Sequence, residues 1–179
     1  MPFRNSVRDG PPVLLRVVLP EDAGRVQSFV RALSPQSRHS RFLSGLSELQ
    51  PYMLRRLTQP VPPNEFGLLA LVGGPGARRV VGMAHSAFEE ESRVELAVVV
   101  ADAWQRRGLG TRLVQVLAQR ASGIEALRGI GLAGNRAMLA LAQRLGFRVL
   151  GTPEPGLVQV EKLLTGAAGA EWHGCPITV

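Results

Sequence analysis

The chain has 179 residues, 45% of them hydrophobic, which fits one domain with a substantial core and leaves no run near the ~20 apolar residues of a membrane span. Its net charge of +7 is almost all arginine, since Lys162 is the only lysine. The arginines are scattered, with short pairs only at Arg55-Arg56, Arg78-Arg79 and Arg106-Arg107, so nucleic acid is not an expected partner.

The start, Met1-Pro2-Phe3-Arg4, lacks the apolar block of a signal peptide and predicts a cytoplasmic protein. Residues 1–12 read as a lead. An apolar run over 13–18 predicts a first strand, and Pro20-Glu21-Asp22 starts a helix with acidic residues where the macrodipole favours them. Val26, Phe29, Val30 and Leu33 give that helix an apolar face, and Ser34-Pro35 ends it. Shorter helices are predicted over 37–46 and 51–57. The segment Pro60-Val61-Pro62-Pro63 is a loop, because proline propagates neither helix nor central strand.

Three strands follow, over 66–72, 79–88 and 94–100. They are joined by turns at Gly73-Gly74-Pro75-Gly76 and Glu89-Glu90-Glu91-Ser92. The unbroken run Leu96-Ala97-Val98-Val99-Val100 indicates a strand buried on both faces. A glycine-containing loop leads into a helix reaching about residue 122, striped by Leu113, Val114, Leu117, Ala118 and Ala121. Then come a strand over 127–132, a helix over 135–145, and strands over 147–150 and 157–163. The order predicts an α+β fold, helices covering a mixed, mostly antiparallel sheet of six to seven strands. One domain over 13–163 and a tail over 164–179 are expected. Cys175 excludes an intramolecular disulfide and a cysteine-based metal cluster, and no metal is expected.

The loop Gln105-Arg106-Arg107-Gly108-Leu109-Gly110-Thr111 lies between a buried strand and an amphipathic helix. Glycines admit positive φ and let an anion approach the amides, and the helix N-terminus adds free N–H groups and a positive dipole. A plain strand-to-helix turn is the other reading. The dinucleotide fingerprint fails because Leu113 stands where a third glycine belongs, and the Walker loop fails for want of lysine.

The spacing Gln-x-x-Gly-x-Gly resembles the acetyl-CoA loop of the GNAT acetyltransferases. The strand Glu95-Leu96-Ala97-Val98-Val99-Val100 stands where that family has a strand ending in a β-bulge. The stretch from Asn135 to Gly146-Phe147 is similar to its asparagine-headed helix followed by Leu-Gly-Phe. Ser34-Pro35-Gln36-Ser37-Arg38, Arg41-Phe42, Ala101-Asp102-Ala103-Trp104-Gln105 and Asn135-Arg136-Ala137-Met138 resemble more narrowly the GNAT domain of bacterial Pat-type protein lysine acetyltransferases. The resemblance covers about residues 13–163.

It implies a GNAT fold with a splayed central strand pair and direct acetyl transfer from acetyl-CoA to a primary amine, of a protein lysine or a small molecule. A homodimer is left open. Acetyl-CoA is then expected at Val98, Val99, Val100, Gln105, Arg106, Arg107, Gly108, Leu109, Gly110, Thr111 and Asn135. At pH 7 a lysine is neutral in about one molecule in 2,500, a handicap of ~4.6 kcal/mol that a positioned carboxylate reduces. Glu95 matches the glutamate that Pat-like enzymes use as general base; a strand-start glutamate facing solvent or paired with Arg93 is the alternative. His85 could face the acceptor or simply be packed or hydrogen-bonded. Arg38 and Arg41 either bond helix ends or border the acceptor cleft. The resemblance departs at Ala142, where many GNAT members carry a tyrosine, and at Pro60-Val61-Pro62-Pro63, where the Pat group has an acidic stretch. A sensor module that binds acetyl-CoA without turnover is the alternative function.

Overall fold

The computed structural model describes residues 3–5, 11–62, 64–74, 76–89, 92–120 and 124–164. Eight strands form one sheet: β1 (Phe3–Asn5), β2 (Val13–Val17), β3 (Glu65–Val72), β4 (Arg79–Phe88), β5 (Arg93–Val100), β6 (Ala126–Leu132), β7 (Arg148–Gly151) and β8 (Leu157–Leu163), in the order β1-β2-β3-β4-β5-β6-β8-β7. Seven are the expected strands. The eighth, β1, lies in the lead and pairs Phe3 with Leu15. Every pairing is antiparallel except β5 with β6. The tail beyond residue 164, with Cys175, and Glu90-Glu91 lie outside the described residues.

Among the described residues five helices cover the sheet: α1 (Ala23–Ala32), α2 (Pro35–Phe42), α3 (Pro51–Thr58), α4 (Leu109–Arg120) and α5 (Arg136–Arg144). One face carries α1 to α3 over Leu69, Met83 and Val99; the other carries α4 over Leu68, Ala70 and Ala84, with α5 over Val94 and Leu96. Helix α2 starts at Pro35 rather than residue 37 and stops at Phe42, because Leu43 turns left-handed at φ 52°. A single 3₁₀ turn, Pro20–Asp22, precedes α1. There Asp22 is fully buried and its carboxylate takes Arg16 at 2.6 and 2.7 Å, Arg25 at 3.2 Å and the Leu19 N–H at 3.0 Å.

Two irregularities shape the middle of the sheet. The expected bulge at the end of β5 is absent on its β4 side, where the register runs unbroken from Phe88–Val94 to Gly82–Val100. The extra residue sits in β4 instead: Ala70 pairs with Gly82 and Leu71 with Val80, so Val81 is unmatched. Its carbonyl accepts the Ala101 N–H at 2.9 Å, which steers the chain out of β5. The second irregularity is the splay. β5 pairs with β6 only from Arg93–Ala126 to Glu95–Arg128, after which β6 stays with β8 and leaves β5. A Cβ on Gly129 would lie 3.2 Å from the Leu96 carbonyl, so glycine permits the close approach where the strands part.

Candidate active site

The fork leaves the β6-facing edge of Leu96 to Val100 without a strand partner. The chain leaves β5 through a 3₁₀ turn, Asp102–Trp104, pinned by the buried Trp104, and then enters α4. Two residues here take positive φ: Gly108 at 84°, as the glycine argument expects, and Arg106 at 61°, which it does not. At the start of α4 the Arg112 N–H donates to the Gly108 carbonyl at 3.1 Å. The amides before it form the exposed positive end of the helix.

A cavity of about 680 Å³ runs from this helix end through the fork to α2, a size typical of small-molecule sites. Val98, Val99 and Val100 line it on the strand side; Gln105, Arg106, Gly108, Gly110 and Thr111 line it on the loop side; Asn135 lines it from α5. Asn135 also caps α5, its Oδ1 accepting the Met138 N–H at 3.0 Å, so the capping and cleft readings hold together. Two expected residues stand apart. The Leu109 side chain is 2% exposed and packs with Leu113 in the core, leaving only its backbone in the first turn of the helix. Arg107 stacks on Trp104, 5.4 Å from the ring centre, and is not among the cleft-lining side chains.

Gln105 has a visible positioning role. Its Nε2 donates to the Val100 carbonyl and to Ser37 Oγ, both at 3.2 Å, tying β5 to α2. Asp102 reinforces the tie, accepting from the Ser34 N–H at 3.0 Å and from the Ser34 and Ser37 hydroxyls at 2.7 Å. Burial alone would raise the Asp102 pKa, but these hydrogen bonds outweigh it and hold the carboxyl below its ordinary value.

Residues opposite one another in the β4–β5 register share a sheet face. Glu95, Ala97 and Val99 therefore lie on the α1–α3 face with Ala87, His85 and Met83. Glu95 is half-buried, and among the described residues its carboxylate has no hydrogen bond or ion pair, so pairing with Arg93 does not occur. His85 is 8% exposed, and its Nε2 is buried with no hydrogen-bond partner. Burial foremost, then the Arg41 charge, lowers its pKa to about 4, so the ring is neutral at physiological pH.

The structure separates the two arginines that sequence left together. Arg38 closes the end of α1, its Nη1 donating to the Arg31 carbonyl at 3.1 Å and to the Leu33 carbonyl. Arg41 lines the cleft, stacks on Phe42 at 4.9 Å, and keeps a buried Nε without a partner. Burial lowers its pKa to about 10 against the opposing pull of Glu95, which leaves it charged at neutral pH. Sequence reasoning missed Gln36, Ser37 and Ser40 of α2 as cleft residues. The Ser-Pro-x-Ser-Arg spacing marked the helix without showing which face it presents.

Residues 31–147 match the model of the acetyltransferase (GNAT) family. The chain belongs to that family. It is 37% identical over 145 residues to Acetyltransferase PA5475 of Pseudomonas aeruginosa, covering 79% of this chain and 78% of that one. The crystal structure of the GNAT domain of S. lividans PAT superposes with a TM-score of 0.83 at 25% identity, covering 91% of this chain and 97% of that one. The fold is also that of Arabidopsis thaliana NAA60, with a TM-score of 0.66 at 14% identity, covering 86% and 99% of the two chains. This GNAT acetyltransferase therefore resembles the Pat domain, as its motifs anticipated. No described helix is long and apolar enough to cross a membrane, and no group of metal-binding side chains occurs among the described residues.

Proposed function

We propose that this acetyltransferase moves the acetyl group of acetyl-CoA directly to a primary amine, with Glu95 accepting the amine proton. The observation that carries the reading is the fork: an edge of β5 without a strand partner, the first-turn amides of α4 at its mouth, and on the same strand, where β6 parts from it, a Glu95 carboxylate without an ion pair among the described residues.

The residues fit the cosubstrate. Gly108 and Gly110 present backbone without side chains, and no atom lies within 4 Å of a Cβ built on Gly108. The first-turn amides of α4, the Leu109 amide included, with Thr111 and Arg106, suit the pyrophosphate. The edge of Val98 to Val100 offers N–H and C=O groups to an amide-bearing arm, and Asn135 borders it. NAA60, of the same fold, is solved in complex with acetyl-CoA. Bound acetyl-CoA supplies an activated thioester.

The chain's own residues do the rest. Glu95 takes the proton as the amine nitrogen bonds to the carbonyl carbon and the C–S bond breaks. A strand amide at the fork stabilises the charge that develops on the carbonyl oxygen. The thiolate leaves as the anion or takes a proton from solvent, since Ala142 offers none.

Calorimetric titration with acetyl-CoA and desulfo-CoA, followed by thiol release over a panel of amines, tests the reading. Micromolar binding with amine-dependent thiol release is expected. Affinity weaker than millimolar contradicts the cofactor site, and binding without turnover of any amine favours a sensor module.

A further inference from the structure

Glu95 of β5 and His85 of β4 lie on the sheet face that α2 covers, next to the cleft rather than in its lining, and Arg41 of α2 lines the cleft and is close enough to both to shift with their charge. Arg41 and Glu95 feel one another's charge yet form no ion pair. Neighbouring cations are satisfied: Arg56 bonds Glu65 at 3.4 Å, Arg128 bonds Glu161 at 2.9 Å and Glu89 at 3.8 Å, and Arg38 bonds two backbone carbonyls through its Nη1. A buried cation left without a counter-ion is costly, as is a buried imidazole nitrogen left without a partner. Two such nitrogens, Arg41 Nε and His85 Nε2, occur here, and Arg41 lies within reach of the charge of Glu95, which has no ion pair among the described residues.

We propose that the Arg41 side of the cleft takes an acceptor bearing a carboxylate as well as its amine, with the amine at Glu95 and the carboxylate at Arg41, where His85 supports it. The inference rests on the amine-acetylation reading above and names its substrate class. Opposite charges held apart in the protein complement a molecule whose own charges are held apart, and each end satisfies a group the fold leaves open. The guanidinium offers a planar fork of donors that matches a carboxylate. A neutral His85 with its proton on Nε2 donates one bond without adding charge. Glu95 takes the amine proton as transfer proceeds, and the acceptor remains held by its carboxylate throughout. Ser37 and Ser40, also lining the cleft, give the approach a polar wall.

The full chain is assayed with saturating acetyl-CoA against ω-amino carboxylates of two to six carbons. Each is matched to the alkylamine of equal length and to its own carboxamide. A kcat/KM roughly 10- to 100-fold higher for the carboxylate of at least one length is expected, the range of a charged hydrogen bond. In Arg41→Gln the carboxylate and alkylamine values converge, while Arg41→Lys keeps part of the gap. Melting curves and acetyl-CoA affinity report whether each variant is folded. Equal rates across each matched set in the wild type overturn this inference alone. A loss in Arg41→Gln that is equal for carboxylate and alkylamine does the same, since Arg41 would then act only through Glu95. Acetyl-CoA binding with no amine acetylated overturns the amine-transfer reading, and this inference with it.

Discussion

Ser34 holds Asp102 by two bonds, its backbone N–H to one carboxylate oxygen at 3.0 Å and its hydroxyl to the other at 2.7 Å. The same hydroxyl accepts the Ser37 N–H at 3.1 Å as the cap of α2. One side chain thus starts the helix that roofs the cleft and fastens it to the turn that opens the glycine loop. Asp102→Asn weakens this latch by about 1 kcal/mol, the partly exposed site limiting the effect. The Asp102 pKa is depressed on folding, so its contribution is present above the unfolded carboxylate value near 3.9 and fades as pH falls below it. Urea melts at pH 7 and pH 3 check this: the difference between wild type and Asp102→Asn shrinks at the lower pH.

His85 gives a larger acid response. Its folded pKa of about 4 lies below the unfolded value of 6.5, so the unfolded chain binds more protons between them. Stability is present above pH 6.5 and declines towards pH 4, by on the order of 3 kcal/mol over the window. His85→Gln is expected to flatten that slope between pH 6.5 and 4 in denaturant melts. Equal slopes in the two proteins exclude a buried neutral histidine.

Asp22 anchors the opposite end of the core. Its alanine substitution leaves Arg16, Arg25 and the Leu19 amide without their shared acceptor. About 3 kcal/mol of stability is lost, as for one partner removed from a buried pair. Chemical denaturation measures it, and a change under about 1 kcal/mol contradicts the buried-pair description.

Substitution at Gly108 tests the proposed cofactor binding apart from folding. At φ 84° a β-branched side chain is strained by about 1–2 kcal/mol, and it would stand over the amides that face the cleft. Gly108→Val is expected to lower acetyl-CoA affinity tenfold or more by calorimetry, with a melting temperature reduced by only a few degrees. Unchanged affinity removes this loop from the site.

Much of the architecture was readable because the signals were local. Apolar runs of strand length, Pro35 and the glycine turns placed seven strands and five helices within a few residues. The strand fork was expected from family resemblance, and the register shows it. What escaped reading depends on tertiary geometry. Leu43 ends α2 by turning left-handed, against its propensity, so the helix stops at Phe42, short of the expected residue 46. The β-bulge lies at Val81 in β4, beside Gly82, a strand-interior glycine that is consistent with a bulge but does not say which neighbour is the extra residue. Within the loop, residue type could not tell that Leu109 points into the core, that Arg107 stacks on Trp104, or that Arg106 takes positive φ. Arg38 and Arg41, one helical turn apart, looked alike until the Leu33 carbonyl claimed the first.

The central claim is that Glu95 takes the proton from the acceptor amine, and Glu95→Gln tests it most directly. Thiol release at pH 7 with saturating acetyl-CoA should fall by roughly 10²- to 10⁴-fold in kcat/KM for the amine. Calorimetric affinity for acetyl-CoA should stay within about twofold, since Glu95 lies off the cofactor's path. Raising the pH should recover much of the rate as the amine loses its proton unaided. Wild-type turnover by Glu95→Gln at pH 7 would contradict the account.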